Sequence, residues 1–132
     1  MTQPTRIVAE ISVGELIDKI TILEIKSERI DDPAKLANVR YELNTLNNTL
    51  ASELGTLDGL NEVQQALKSV NERLWELEDD IRDCERRDDF GADFIAAARA
   101  IYRTNDERAA LKMKLNQLAG SSVVEEKSYG DY

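Results

Sequence analysis

From Leu60 through Val63, Leu67, Val70, Leu74, Leu77 and Ile81 to Cys84, apolar residues recur in alternating steps of three and four without a miss. A period of about 3.5 residues sets these side chains in one narrow stripe along a helix, and such a stripe is buried only against other helices with matching stripes. The segment therefore demands helix-on-helix packing. It carries no chemistry of its own.

The rest of the composition fits that demand. The chain has 132 residues, of which 42% are hydrophobic, 33% charged and only 5% aromatic. That mixture describes solvated helices around aliphatic seams, and the length suits one domain over 1–132, with short arms at 1–11 and 121–132. A net charge of −9 repels polyphosphate and anionic bilayers, so neither nucleic acid nor membrane is an expected partner. No stretch approaches the roughly 20 apolar residues of a membrane span, and no apolar signal-peptide core opens the chain, so the expected location is cytoplasmic. The sequence holds no histidine and one cysteine, which removes the usual general base and the usual zinc ligands. No cofactor is expected. Cys84 lies on the seam and reads as a small buried hydrophobe.

Ser12 with Glu15 forms a capping box that starts a first helix running to about Ile30. Its seam reads Val13, Leu16, Ile20, Leu23, Ser27 and Ile30, but Ile17, Ile22 and Ile25 lie off it. A helix apolar on two sides is either central in its bundle or shared with another subunit. Asp32-Pro33 starts a second helix, with Leu36, Val39, Leu43, Leu46, Leu50 and Leu54 on one stripe. Gly55 and Gly59 bracket a turn, which makes the second and third helices a coiled-coil-like hairpin. Asp88 or Asp89 can cap a fourth helix from about Ala92 to Leu118, before Gly120. The resulting fold class is all-α, an antiparallel four-helix bundle. The segments TRIVAEI (5–11) and VVEEKSY (123–129) have β-compatible content and could pair near each other or lie along the bundle.

Three groups of residues could carry chemistry. Glu72, Glu76, Asp79 and Asp83 form a carboxylate row on the third helix, and Glu76-x-x-Asp79 resembles half of the Mg²⁺ motif of all-helical nucleotide pyrophosphohydrolases. The doubled glutamate of the other half is missing, and the row faces away from the seam, so no metal site is expected. The first helix resembles that of helical chorismate mutases only in outline, because no basic residue lies early in it; Arg29, Lys35 and Arg40 are the only cations in plausible places. The fourth helix gathers Arg99, Tyr102, Arg103, Asn105, Arg108 and Lys112, a candidate clamp for an anion such as a nucleotide or sugar phosphate. Asn105 and Arg108 also interrupt that helix's seam, where buried polar groups need full hydrogen bonding, and Asp18 or Glu24 of the first helix are candidate partners.

ISVGELIDKITILEIK (11–26), ANVRYEL (37–43), LWELEDDIRDCERR (74–87), YRTNDERAALK (102–112) and VVEEKSY (123–129) resemble a family of small uncharacterised bacterial and phage proteins. The resemblance implies a compact stand-alone helical protein, sometimes encoded near genes for surface-sugar synthesis. It brings no activity and no functional residue. The chain thus reads as an interaction or accessory protein rather than an enzyme, self-associating through the first helix or the hairpin. The rival reading is a small enzyme or binding protein using the basic cluster of the fourth helix.

Overall fold

The computed structural model describes residues 3–132, so the first two residues of the expected arm 1–11 lie outside it. Four helices follow in order, α1 (Val13–Arg29), α2 (Pro33–Glu53), α3 (Leu60–Arg86) and α4 (Ala92–Ala119). No strand occurs among the described residues.

Local chemistry sets most of the boundaries. Ser12 Oγ accepts the Glu15 N–H at 3.0 Å to open α1, and Asp32 Oδ2 accepts the Lys35 N–H at 2.9 Å to open α2 behind Pro33. Gly59 precedes α3 at φ 83° and Gly120 closes α4 at φ 64°, both in the left-handed region that a Cβ disfavours. α4 starts differently from the expectation. Its N-cap is Gly91, while Asp89 Oδ1 takes the Gly91 N–H at 3.1 Å and Asp88 adopts φ 52° in the turn that ends α3. Neither aspartate caps α4 itself, because the reversal needs two more residues before the helical N–H groups begin.

The helices run alternately up and down, with α1 in the middle. Ile17 meets Leu60, Val63, Leu67 and Leu115 in the main core cluster, so α1 lies parallel to α3 and antiparallel to α4. α2 packs back along α1; none of its Cα atoms lies within 8 Å of one in α3 or α4, and it meets those helices only through side chains such as Leu50, which reaches the core cluster. The expected α2/α3 seam is therefore corrected: the stripe from Leu60 to Cys84 faces α4 and α1, and the Gly55 to Gly59 turn only reverses the chain. The reason is α1. Its second apolar face brings Ile17 and Ile25 to 0% and 1% exposure within the chain, which puts α1 where α2 would otherwise sit. The cover that these isoleucines need is thus supplied without a second subunit.

α1 spans 17 residues, whereas α3 and α4 span 27 and 28. Ten extra residues extend the α3/α4 pair by about 15 Å beyond the end of α1. Along the α3 stripe, Leu60, Val63, Leu67 and Val70 are buried beside α1, Leu74 is half-buried next to Ile22 and Ile25 of α1, and Leu77 and Ile81 are half-buried in the overhang. Cys84 is buried there, as its seam position predicts.

Candidate functional site

The polar residues that interrupt the α4 seam are placed by α1. Asp18, fully buried, receives Arg108 Nε on Oδ1 at 2.9 Å and Arg108 Nη2 on Oδ2 at 2.5 Å. Asn71 of α3 donates from Nδ2 to Asp18 Oδ1 and to Thr21 Oγ1, each at 2.9 Å, and Thr21 Oγ1 donates to the Asp18 carbonyl at 2.8 Å. One carboxylate thus ties three helices together. Its hydrogen bonds hold the Arg108 guanidinium above its usual range, against the opposing effect of burial. The expected link from Arg108 to Asp18 is present; Glu24 makes no such link, and one of its carboxylate oxygens is buried without a partner, so burial pushes its pKa up.

A second polar assembly closes the start of α1. Gly14 N donates to Asn116 Oδ1 at 2.6 Å and Val13 N to Ser121 Oγ at 3.1 Å, satisfying free N–H groups of the first turn. α1 and α4 approach so closely here that a Cβ on Gly14 would lie 2.4 Å from the Lys112 carbonyl oxygen. Glu15 does not complete the capping box, because its carboxylate takes Lys112 Nζ at 2.6 Å instead. Glu125, from the segment after α4, accepts from Ser12 Oγ and from Asn116 Nδ2. Burial alone would raise the Glu125 pKa, but the Ser12 hydrogen bond, its own N–H, the Lys112 charge and Asn116 together hold it below the usual range.

That segment then runs back along α4. Tyr132 stacks edge-on to Tyr102 with ring centroids 5.2 Å apart, lies 5.6 Å from the Arg103 guanidinium and donates its hydroxyl to Asp106. Tail and helix border an open cleft of about 750 Å³ lined by Tyr102, Asn105, Lys127, Tyr129 and Tyr132 and by two carboxylates, Asp106 and Asp131. Arg99 and then Arg103 push the Tyr102 hydroxyl pKa down. The tail is docked, as expected, but through side chains; the expected backbone pairing with 5–11 is absent because that arm stands clear of the bundle, with Ile7 88% and Val8 96% exposed.

The six candidate residues of the basic cluster are therefore divided. Arg108 and Lys112 hold α1, whereas Arg99, Tyr102 and Arg103 are exposed, Tyr102 and Arg103 against Tyr132 of the tail, and Asn105 borders both this cleft and the groove beside Arg108. Lys127, Tyr129 and Tyr132 join the outer group without having been singled out from sequence, although two of the chain's four tyrosines lie in its last four residues. Of the carboxylate row of α3, Glu72 and Glu76 face Arg29 and Asp83 faces Arg86 and Arg87, while Asp79 makes no ion pair among the described residues. Among the described residues, no group of three or more His, Cys, Asp or Glu is placed to hold a metal ion. Among the described residues, no helix is long and apolar enough to cross a membrane.

The model of a family of unknown function, DUF6165, matches residues 7–131. The chain belongs to this family. The match spans every motif on which the sequence resemblance rested, from 11–26 to 123–129. No curated protein matches the chain. No solved structure does either.

Proposed function

We propose that this chain is a cytoplasmic interaction or accessory protein that self-associates and binds protein surfaces. The supporting observation is how the α4 cations are used. Arg108 and Lys112, the two that face α1, are neutralised there by Asp18 and Glu15 and serve to hold helices together. Apolar surface is left uncovered elsewhere: on the arm carrying Ile7 and Val8, and at the half-buried Leu77 and Ile81 of the overhang. Unpartnered apolar surface of this kind marks protein contacts. Sedimentation velocity across micromolar concentrations tests the reading, which expects mass to rise above one chain. A monomer at every concentration contradicts self-association.

A second reading rests on the outer cleft. Among the described residues, Arg99, Arg103 and Lys127 form no ion pair, although the chain carries a net charge of −9, and three tyrosine rings lie beside them. Such a group suits a phosphate bearing a flat or sugar ring. A thermal-shift panel of nucleotides and sugar phosphates tests it, since ligand at about 100 times its Kd stabilises the folded state by about 2.7 kcal/mol. A shift abolished by Arg103→Glu supports this reading, and a flat panel removes it.

A further inference from the structure

Between α4 and the tail lies a second, smaller space of about 120 Å³. Asn105, Arg108, Lys112 and Asn116 of α4 and Glu125 and Lys127 of the tail line it, and it shares Asn105 and Lys127 with the outer cleft. The two spaces therefore adjoin. At about 120 Å³ the inner one is smaller than the roughly 150 Å³ that takes a benzene ring, so a ring is left outside among Tyr102, Tyr129 and Tyr132 and only a small group enters.

Hydrogen-bond accounting decides what that group is. Arg108 reaches Asp18 through Nε and Nη2, which leaves its Nη1 N–H groups unused, and Lys112 Nζ reaches only Glu15. Lys127 Nζ has the Tyr129 ring at 5.5 Å and no ion pair, and the Asn105 side chain has no hydrogen-bond partner among the described residues. Both oxygens of Glu125 already accept, one from Ser12 and one from Asn116. The walls thus hold spare donors, and the entering group has to be an acceptor.

Charge narrows the choice further. Arg108, Lys112 and Lys127 are matched by Asp18 and Glu15, which pair with the first two, and by Glu125. A balanced set holds one negative charge through its hydrogen bonds and offers little to a second, which favours a carboxylate over a phosphate monoester. Asp106 and Asp131 line the outer cleft and turn such a group inward.

We infer that the inner pocket seats the carboxylate of a small ring-bearing acid, held by Arg108, Asn105 and Lys127, while the ring lies among the three tyrosines. The inference rests on the reading of the outer cleft as a ligand site and specifies the anionic group that its inner end accepts.

Phenylacetate and phenyl phosphate carry the same ring on a carboxylate and on a phosphate monoester, and amide NMR of the full chain follows the binding of each. Phenylacetate is expected to shift Asn105, Arg108 and Lys127 with a Kd of about 1 mM, the strength open to about ten non-hydrogen atoms, and phenyl phosphate to bind about tenfold more weakly. Asn105→Leu and Lys127→Met should each weaken phenylacetate by about fivefold without lowering the melting temperature, since neither side chain makes a hydrogen bond or ion pair within the described fold. Phenyl phosphate binding as tightly as phenylacetate overturns the carboxylate assignment. Shifts confined to Tyr102, Tyr129 and Tyr132, or a Kd that neither variant changes, overturn the inner pocket, and the cleft reading survives each of these results. No shift with either probe overturns the inference, and the cleft reading falls with it only if the nucleotide and sugar-phosphate panel is flat as well.

Discussion

α1 and α2 are consecutive helices of 17 and 21 residues, both rich in isoleucine or leucine, yet they occupy opposite positions in the molecule. α1 is covered by three helices, and its Ile17, Ile20, Leu23 and Ile25 are all buried; on α2 only Val39 is, and Leu36, Leu43, Leu46 and Leu50 stay half-buried. The difference lies in angular spread. Apolar residues of α1 occupy two faces of the helix, so one neighbour cannot cover them, whereas those of α2 form one stripe that one neighbour satisfies. The number of apolar faces, more than their hydrophobicity, assigns the central position. α1 then adds a buried acid, Asp18, whose partners Asn71 and Arg108 come from α3 and α4.

If this contrast governs the fold, the largest effect belongs to the Asp18 assembly. Arg108→Ala leaves a buried carboxylate without its cation and should cost about 3–5 kcal/mol in urea unfolding; pairing it with Asp18→Ala should cost less than the two single changes summed. Next comes truncation of the central helix, where Ile20→Ala should cost about 3 kcal/mol by the same measurement. Gly14→Ala sharpens the comparison by forcing α1 away from the Lys112 carbonyl, at about 1–3 kcal/mol. On α2, Leu46→Ala should cost only about 1 kcal/mol, because the side chain is half-buried to begin with. A Leu46 effect equal to that of Ile20 would break the contrast.

The smallest expected effect tests the tail that closes the start of α1. Glu125 has a folded pKa below its ordinary value of 4.5, so its contribution is present above that value and is lost as pH falls through the folded pKa. Glu125→Gln should therefore lower the melting temperature by about 2 °C at neutral pH, and the deficit should vanish only once the pH is below the folded pKa of Glu125, itself below 4.5. A deficit that persists in acid would mean that packing, and not the carboxylate, docks the tail.

Much of this architecture was legible from residue spacing. Helix ends followed from Ser12, Asp32-Pro33 and Gly120, and the two-faced isoleucines of α1 already implied a central or shared helix. Arg108 betrayed a buried acid by sitting in a seam. What spacing could not convey was partner choice: the α3 stripe fits any matching stripe, so its pairing with α4 and α1 instead of α2 depended on the competition that α1 won. The outer cleft was half legible for a similar reason. Arg99, Tyr102 and Arg103 share a helix and could be grouped by periodicity, but Lys127, Tyr129 and Tyr132 reach them through a tail without periodicity.

Amide hydrogen exchange of the intact chain tests the central position of α1 most directly. Amides in the middle of α1, from Ile17 to Ile25, should exchange only through global unfolding, while those of α2 from Leu36 to Leu50 should exchange faster, through local opening from a single supporting face. Protection of α2 equal to that of α1, or loss of α1 protection before that of α3 and α4, would contradict the account.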